Sequence, residues 1–391
     1  MRSQIQSSEN KNDNHRPPGL SPTNKQERNI TLDVIRGIAI LLVMFSHSLN
    51  VSKDAAPYFP PRLFVKMMQI GGWCGVDLFF VLSGFLVSGL LFNEFKKTQK
   101  IQPGKFLIRR GFKIYPGLAF FILFTFIIEK ALSLQADQVY YPSVAYLKDL
   151  LFLHNYFGGR WEITWSLDIE EAFYFLLTAF FLLIISLKKM KLKTLVTTYI
   201  ILVIIGITGR LITNLTHPEY DFIKHYAYSH FRLDGLFAGV LLAYFYHFEH
   251  TRLNTFITRY QLLFITIPVI LLIPNFLFER DEHQWISIFL LATNPICFGF
   301  LLLVLLETKR TFFKIKVMAF IGRNSYPMYL WHLFINAYLI QHFYPINSIA
   351  VFSTYTAIYF GSTILTGILI TRLIEIPFLN MRDRFYPAKS I

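Results

Sequence analysis

Ten runs of about twenty apolar residues divide this chain, at 32–50, 72–92, 112–131, 166–187, 194–213, 231–248, 260–278, 285–306, 317–341 and 349–371. Each is long enough for a helix to cross the hydrocarbon of a bilayer. Such runs leave little choice of fold. Backbone N–H and C=O groups in hydrocarbon must bond within their own segment, so the chain is expected to be all-α, a polytopic integral membrane protein of about ten transmembrane helices. Composition agrees: 54% of residues are hydrophobic and 16% charged, and the mean hydropathy of +0.43 excludes an ordinary soluble enzyme. The basic residues set the topology. With the N-terminus in the cytoplasm, segments 96–113, 188–193 and 309–323 carry seven, four and five Lys or Arg and all face inward, as the positive-inside rule demands. Both termini are then cytoplasmic. The net charge of +14 reads as topology and as attraction to anionic membrane lipid, with no nucleic acid as partner. Residues 1–30 are polar, show no cleavable signal pattern and are expected to form a disordered cytoplasmic tail. Residues 31–375 are expected to form the transmembrane domain and 376–391 a short cytoplasmic tail, with no soluble domain expected to follow. Cys74 and Cys297 sit in apolar stretches and read as small apolar side chains, not as a disulfide or thiolate metal site.

Against this apolar background the ionisable residues stand out, because charge inside hydrocarbon is costly and usually functional. Arg36 and His47 share one apolar segment eleven positions apart, which places both on one helix face about 16 Å apart along the axis. That spacing alone serves equally a functional pair and a plain one, an arginine snorkelling to headgroups with a hydrogen-bonded histidine. The segment Arg109-Arg110-Gly-Phe-Lys113-Ile-Tyr-Pro116 gathers cations at a helical entrance that proline can start. It reads either as a lipid-headgroup anchor or as a cytoplasmic phosphate site. On the outer side, Asp77 opens the second run and is either a cap or functional. The fourth run opens Thr164-Trp165-Ser166-Leu167-Asp168-Ile-Glu170-Glu171; the helix dipole accounts for one or two of these acids, and a deeper Glu170 or Glu171 requires a wet cavity. His230-Phe-Arg232-Leu-Asp234-Gly235 is an internal ion pair or a substrate clamp. His332 is a core histidine or a site residue. His217, His225 and His230 cluster in an outer loop without metal-ligand spacing, so no metal site is expected.

Taken in order, these segments resemble the acyltransferase family three of integral membrane proteins, which includes O-acetylases of bacterial O-antigens, capsules and other surface glycans. The resemblance runs from about residue 30 to residue 380. It is carried by Leu32-Asp-x-x-Arg36-Gly with His47, by Gly75-Val-Asp77-Leu-Phe-Phe-Val-Leu-Ser83-Gly-Phe85, and by Arg109-Arg110-x-x-Lys113-x-x-Pro116. Trp165-Ser-Leu-x-x-Glu170-Glu171-x-Phe-Tyr174, Arg323-Asn-Ser-Tyr-Pro-Met-Tyr-Leu-Trp331-His332 and Glu375-x-Pro377 complete it. Two positions depart from the pattern: Lys113 stands where the family often has Arg, which weakens bidentate phosphate contact, and Asp168 where it often has Ser.

The resemblance implies acyl transfer from a cytoplasmic acyl-CoA, acetyl-CoA above all, to a hydroxyl of a lipid-linked or exported glycan such as a surface polysaccharide or a lipopolysaccharide O-antigen. It places the protein as a multi-pass component of the bacterial inner membrane. Arg36, Arg109, Arg110 and Lys113 would then hold the CoA phosphates. His47 would act as general base or transient acyl carrier, with a carboxylate from Asp77, Glu170 or Glu171 orienting its ring. Asp168, Trp165, Arg232, Asp234 and His332 are expected to contact the acceptor. No bound cofactor is expected beyond the acyl donor. A glycolipid or polysaccharide-precursor transporter, using Arg36, Arg232 and the acids as an ion-coupled path, is the alternative; against it stands the absence of repeated halves.

Overall fold

A computed structural model describes residues 29–49, 60–133, 141–307 and 315–387. The described residues are helical throughout, with no strand, as the apolar runs require. The expected N-terminal tail, apart from Asn29 and Ile30, lies outside them, as do the last four residues.

Local chemistry starts and stops the helices. Helix α1 (Ile30–Ser46) begins where the Asn29 side chain accepts from the Thr31 N–H at 2.9 Å, and Asp33 adds an acid to its first turn. It is followed by α2 (Pro60–Gly71), α3 (Cys74–Thr98) and α4 (Pro103–Ser133). The short α5 (Ser143–Leu150) and α6 (His154–Phe157) precede α7 (Trp165–Ser186), α8 (Leu192–Thr216) and α9 (Leu233–Phe248). Next come α10 (His250–Arg259), α11 (Gln261–Leu272), α12 (Gln284–Glu307), α13 (Lys316–Arg323), α14 (Ser325–Phe343) and α15 (Ile349–Ile370). A π-helical turn at Thr371–Glu375 carries α15 on into α16 (Ile376–Phe385).

Six helices, α3, α4, α7, α8, α12 and α15 with its continuation, are long and apolar enough to cross a membrane, and a seventh if α10 and α11, bent by 77°, form one span. The other expected runs fall on shorter or broken helices. The run at 32–50 becomes α1, 17 residues long; that at 231–248 becomes α9, 16 residues long. The run at 317–341 is interrupted at Asn324, between α13 and α14. One helix also starts earlier than expected. Pro103, not Pro116, opens α4, so Arg109, Arg110 and Lys113 lie within a helix and Pro116 is interior to it.

Helix α3 is the axis of the bundle, buried over 78% of its most apolar window, whereas α8 is buried over only 17% and keeps a broad apolar face outward. Its crossing with α9 depends on glycine: a Cβ on Gly84 would strike the Leu236 carbonyl, and one on Gly239 the Val81 carbonyl. Polar contacts bring one set of helix termini together. Arg323 Nε donates to Asp33 Oδ2 at 3.1 Å, Lys96 Nζ donates to the His247 carbonyl at 3.2 Å, and Arg109 reaches α16. The start of α1, the end of α3, the start of α4, the end of α9 and α16 therefore share one end of the molecule.

Candidate active site

A cavity opens among α1, α3, α4, α7 and α14. Three cations from two helices line it: Arg36 of α1, and Arg110 and Lys113 of α4. Their surroundings differ. Arg36 donates to the buried Asp33 carboxylate at 3.0 Å, and Asp33 is shared with Arg323, so α1 and α13 together fix the guanidinium. Lys113 pairs with Glu375 in the π-turn after α15. Arg110 has no carboxylate partner among the described residues and lies over the Phe106 and Tyr174 rings, 5.9 and 5.6 Å from their centroids. The one acid of the lining is Glu170. It accepts from Tyr174 Oη at 2.7 Å, and that hydroxyl also meets Ser83 Oγ at 2.7 Å. Glu170 thus faces a cavity whose lining carries three cations and one acid.

Helix α14 borders the cavity with Ser325, Tyr326 and Tyr329. Tyr326 Oη donates to the Ile114 carbonyl at 2.6 Å, tying α14 to α4. Tyr329 Oη lies 2.7 Å from Ser166 Oγ and donates to the Ile163 carbonyl at 3.1 Å. The Tyr329 carbonyl, at 2.6 Å from His332 Nδ1, leads onward. A carbonyl only accepts, so Nδ1 of His332 carries the proton and its Nε2 holds a lone pair. That Nε2 faces His47 Nδ1 at 3.3 Å. His47 Nδ1 also lies 2.9 Å from the Val43 carbonyl, so by the same rule it is the protonated nitrogen and donates to both. Among the described residues His47 Nε2 has no hydrogen-bond partner, in a residue that closes the C-terminus of α1. The Asn336 amide donates to the His47 carbonyl, and Tyr355 Oη donates to Asn336 Oδ1 at 2.7 Å and accepts from the Leu49 N–H at 3.0 Å. Tyr359 Oη donates to the Met44 carbonyl at 3.2 Å. His47 is held from three helices.

Among the described residues no carboxylate bonds this imidazole; His332 does so, in place of Asp77, Glu170 or Glu171. Asp77 is 1% exposed and fully engaged: Arg232 donates to one oxygen and Asn294 Nδ2 to the other, at 2.8 Å. It closes an internal ion pair between α3 and α9, and Arg232, packed over Tyr226 at 4.7 Å and Phe80 at 5.5 Å, is the partner and not an acceptor clamp. Asp234 caps its own helix through the Gly235 N–H at 2.9 Å, and Arg210 Nη2 lies 3.9 Å away. Asp168 accepts from the Asn155 N–H at 3.0 Å and fastens α6 to α7. Trp165 is 5% exposed and packs against Phe80 and Tyr226. Glu171 is buried beside the cavity without lining it. Arg109, expected with the phosphate-binding cations, instead pairs with Asp383 at 3.1 Å and donates to the Tyr386 carbonyl; inside α4 it sits one turn from Lys113 on the face toward α16. His225 bonds the His217 carbonyl and the backbone of Asp221, and His230 stacks on Tyr156 and Tyr228. Among the described residues no three His, Cys, Asp or Glu side chains are grouped to hold a metal.

Asp33, Ser83 and Tyr329 lie in the motifs that carry the resemblance but take no role in the site expected from sequence, and Asn336 is not singled out there. A signal existed for two of them: Tyr329, His332 and Asn336 recur at helical spacing of three and four, one stripe of α14.

The Acyltransferase domain family matches residues 29–372. The chain is similar to the O-acetyltransferase OatA of Staphylococcus aureus (strain NCTC 8325 / PS 47), 27% identical over 303 residues, 71% of this chain and 48% of that protein. It is also similar to putative O-acetyltransferases of S. aureus strains MRSA252 and COL; for the MRSA252 protein the identity is 26% over 385 residues, 91% of this chain and 59% of the relative. The chain spans about half the length of the curated relatives it matches. No solved structure matches it at a significant level.

Proposed function

The chain belongs to the Acyltransferase domain family, and on that premise we propose that it is an O-acetyltransferase of the bacterial inner membrane, crossing it ten times with both termini in the cytoplasm. In this reading it moves an acetyl group from cytoplasmic acetyl-CoA to a hydroxyl of a cell-surface polysaccharide or a lipopolysaccharide O-antigen. The multi-pass membrane character follows from the apolar helices and the family. The printed names of the relatives support O-acetyl transfer.

One observation carries the proposal: the cation-lined cavity ends at Tyr329, whose carbonyl takes the proton side of His332, whose other nitrogen accepts from His47. The cation-lined cavity and the imidazole of His47 are thereby joined through one helix. Arg36, Arg110 and Lys113 would hold the CoA phosphates, and the pantetheine arm would carry the thioester toward His47 over about 16 Å of helix axis. His47 Nε2 takes the proton of the acceptor hydroxyl as that oxygen bonds to the thioester carbonyl carbon. The carbon–sulfur bond then breaks and the proton passes from His47 to the CoA sulfur, leaving an acetyl ester and a free thiol. While His47 is cationic, its Nδ1–H remains directed at the Val43 carbonyl and His332 Nε2, which stabilises the charge.

Membranes containing the protein, given radiolabelled acetyl-CoA and competent glycan, should transfer label to the glycan in a form released by mild alkali. Movement of glycolipid across the membrane without acetyl-CoA, and no ester-bound label, would establish the transporter instead.

A further inference from the structure

A second, small cavity lies between the loop that follows α8 and the start of α12. Arg280 is its one guanidinium, and no carboxylate lines it. Aromatic faces, not an acid, position Arg280: it lies 4.1 Å from the Tyr226 centroid and 5.1 Å from that of Trp73. Among the described residues, four polar atoms of the lining side chains are withdrawn from solvent and have no hydrogen-bond partner: Arg280 Nη1, Asn214 Nδ2, Tyr220 Oη and Tyr226 Oη. Asn214 and Tyr226 are 8% and 4% exposed. Burial raises both tyrosine hydroxyls above their ordinary pKa, so each keeps its proton. His225, also in the lining, has both ring nitrogens bonded to backbone.

Buried donors left without acceptors are costly, and here four lie together with no acid among them. A water accepts only two hydrogen bonds and leaves half of them unpaired; a carboxylate offers two oxygens with about four lone-pair sites and the charge a guanidinium seeks. A phosphate dianion would call for more than the single cation present. Arg280 lies over Trp73, whose neighbour Gly72 abuts Leu42 and Ser46 near the end of α1, so the cavity lies at the end of the bundle that holds His47.

We propose that this cavity binds the carboxylate of an acidic sugar in the acceptor glycan, with Arg280 and Asn214 donating to its oxygens. The assignment of that ligand as acceptor rests on the O-acetyltransferase reading; the binding chemistry does not. The test is equilibrium binding of glucuronate, glucose and glucose 1-phosphate to the full chain in detergent, as native protein and as His47→Ala, Arg280→Gln and Arg280→Lys, each shown to be folded by its melting temperature. The native chain and His47→Ala should both prefer glucuronate to glucose by about tenfold or more, the margin of one charge-assisted pair. Arg280→Gln should lose that margin and Arg280→Lys keep part of it. Should Arg280→Gln not fold, Tyr220→Phe replaces it and should weaken glucuronate binding while leaving glucose unaffected. Equal binding of glucuronate and glucose, or a margin untouched by these substitutions, overturns the site; preference for glucose 1-phosphate overturns the carboxylate. Glucuronate binding without any acetyl transfer would count against the O-acetyltransferase reading alone, since His47→Ala separates the two.

Discussion

At the scale of single residues, the reading turns on one nitrogen. In the proposed reaction His47 Nε2 is the base, since its other nitrogen is committed to Val43 and His332, and His332 is itself fixed by the Tyr329 carbonyl. His332→Ala should therefore lower kcat by about ten- to a hundredfold, the usual cost of losing such an orienting partner, with little change in KM for acetyl-CoA. His332→Asn, which can still accept from His47 Nδ1, should recover part of it; a KM effect with kcat intact would place His332 elsewhere. Arg110 should behave in the opposite way. It lines the cavity without a carboxylate partner, so Arg110→Gln should raise KM for acetyl-CoA about tenfold, measured by steady-state kinetics, with kcat nearly held. Arg36 and His47 were legible in the sequence because their relation lies within one helix. The His332 contact was not, because it joins residues 285 positions apart, and no spacing rule reaches across elements.

At the scale of elements, long apolar runs were read well and their ends poorly. The runs at 72–92, 166–187, 194–213, 285–306 and 349–371 correspond to α3, α7, α8, α12 and α15. The start of α4 was misjudged because Pro116 suits a first turn, yet Pro103 suits it too and the helix passes through both. That shift turns Arg109 onto α16, where its partner Asp383 is 54% exposed; Asp383→Asn should cost under about 1 kcal/mol and leave KM for acetyl-CoA unchanged. The crossing of α3 and α9 is a stiffer constraint. Gly239→Leu drives a side chain into the backbone of α3, whereas Gly361 on α15 meets nothing within 4 Å. The first should destabilise by roughly 3 kcal/mol or more and the second by under about 1 kcal/mol, compared by thermal melting in detergent. Equal melting of the two would contradict the close crossing.

At the scale of the whole molecule, charge buried in the bundle serves two separate ends. The Asp77–Arg232 pair, with Asn294 on the second carboxylate oxygen, joins α3, α9 and α12 and touches neither imidazole. Asp77→Asn leaves Arg232 buried without its counter-charge, so it should cost about 3–5 kcal/mol and reduce the yield of folded protein. Activity per folded molecule, measured after size-exclusion chromatography, should stay within a few-fold of native. Sequence alone could not divide the acids into these two groups, because Asp77 and Glu170 both open apolar helices. Only the tertiary arrangement gives one an arginine and the other a cavity. The central claim, that the imidazole at the end of α1 accepts the acceptor's proton, is tested most directly by acetyl transfer from radiolabelled acetyl-CoA to glycan in membranes carrying equal amounts of folded native or His47→Ala protein. Alkali-labile label should fall at least about a hundredfold in the variant, the span of general-base catalysis; label undiminished by the loss of His47 would contradict it.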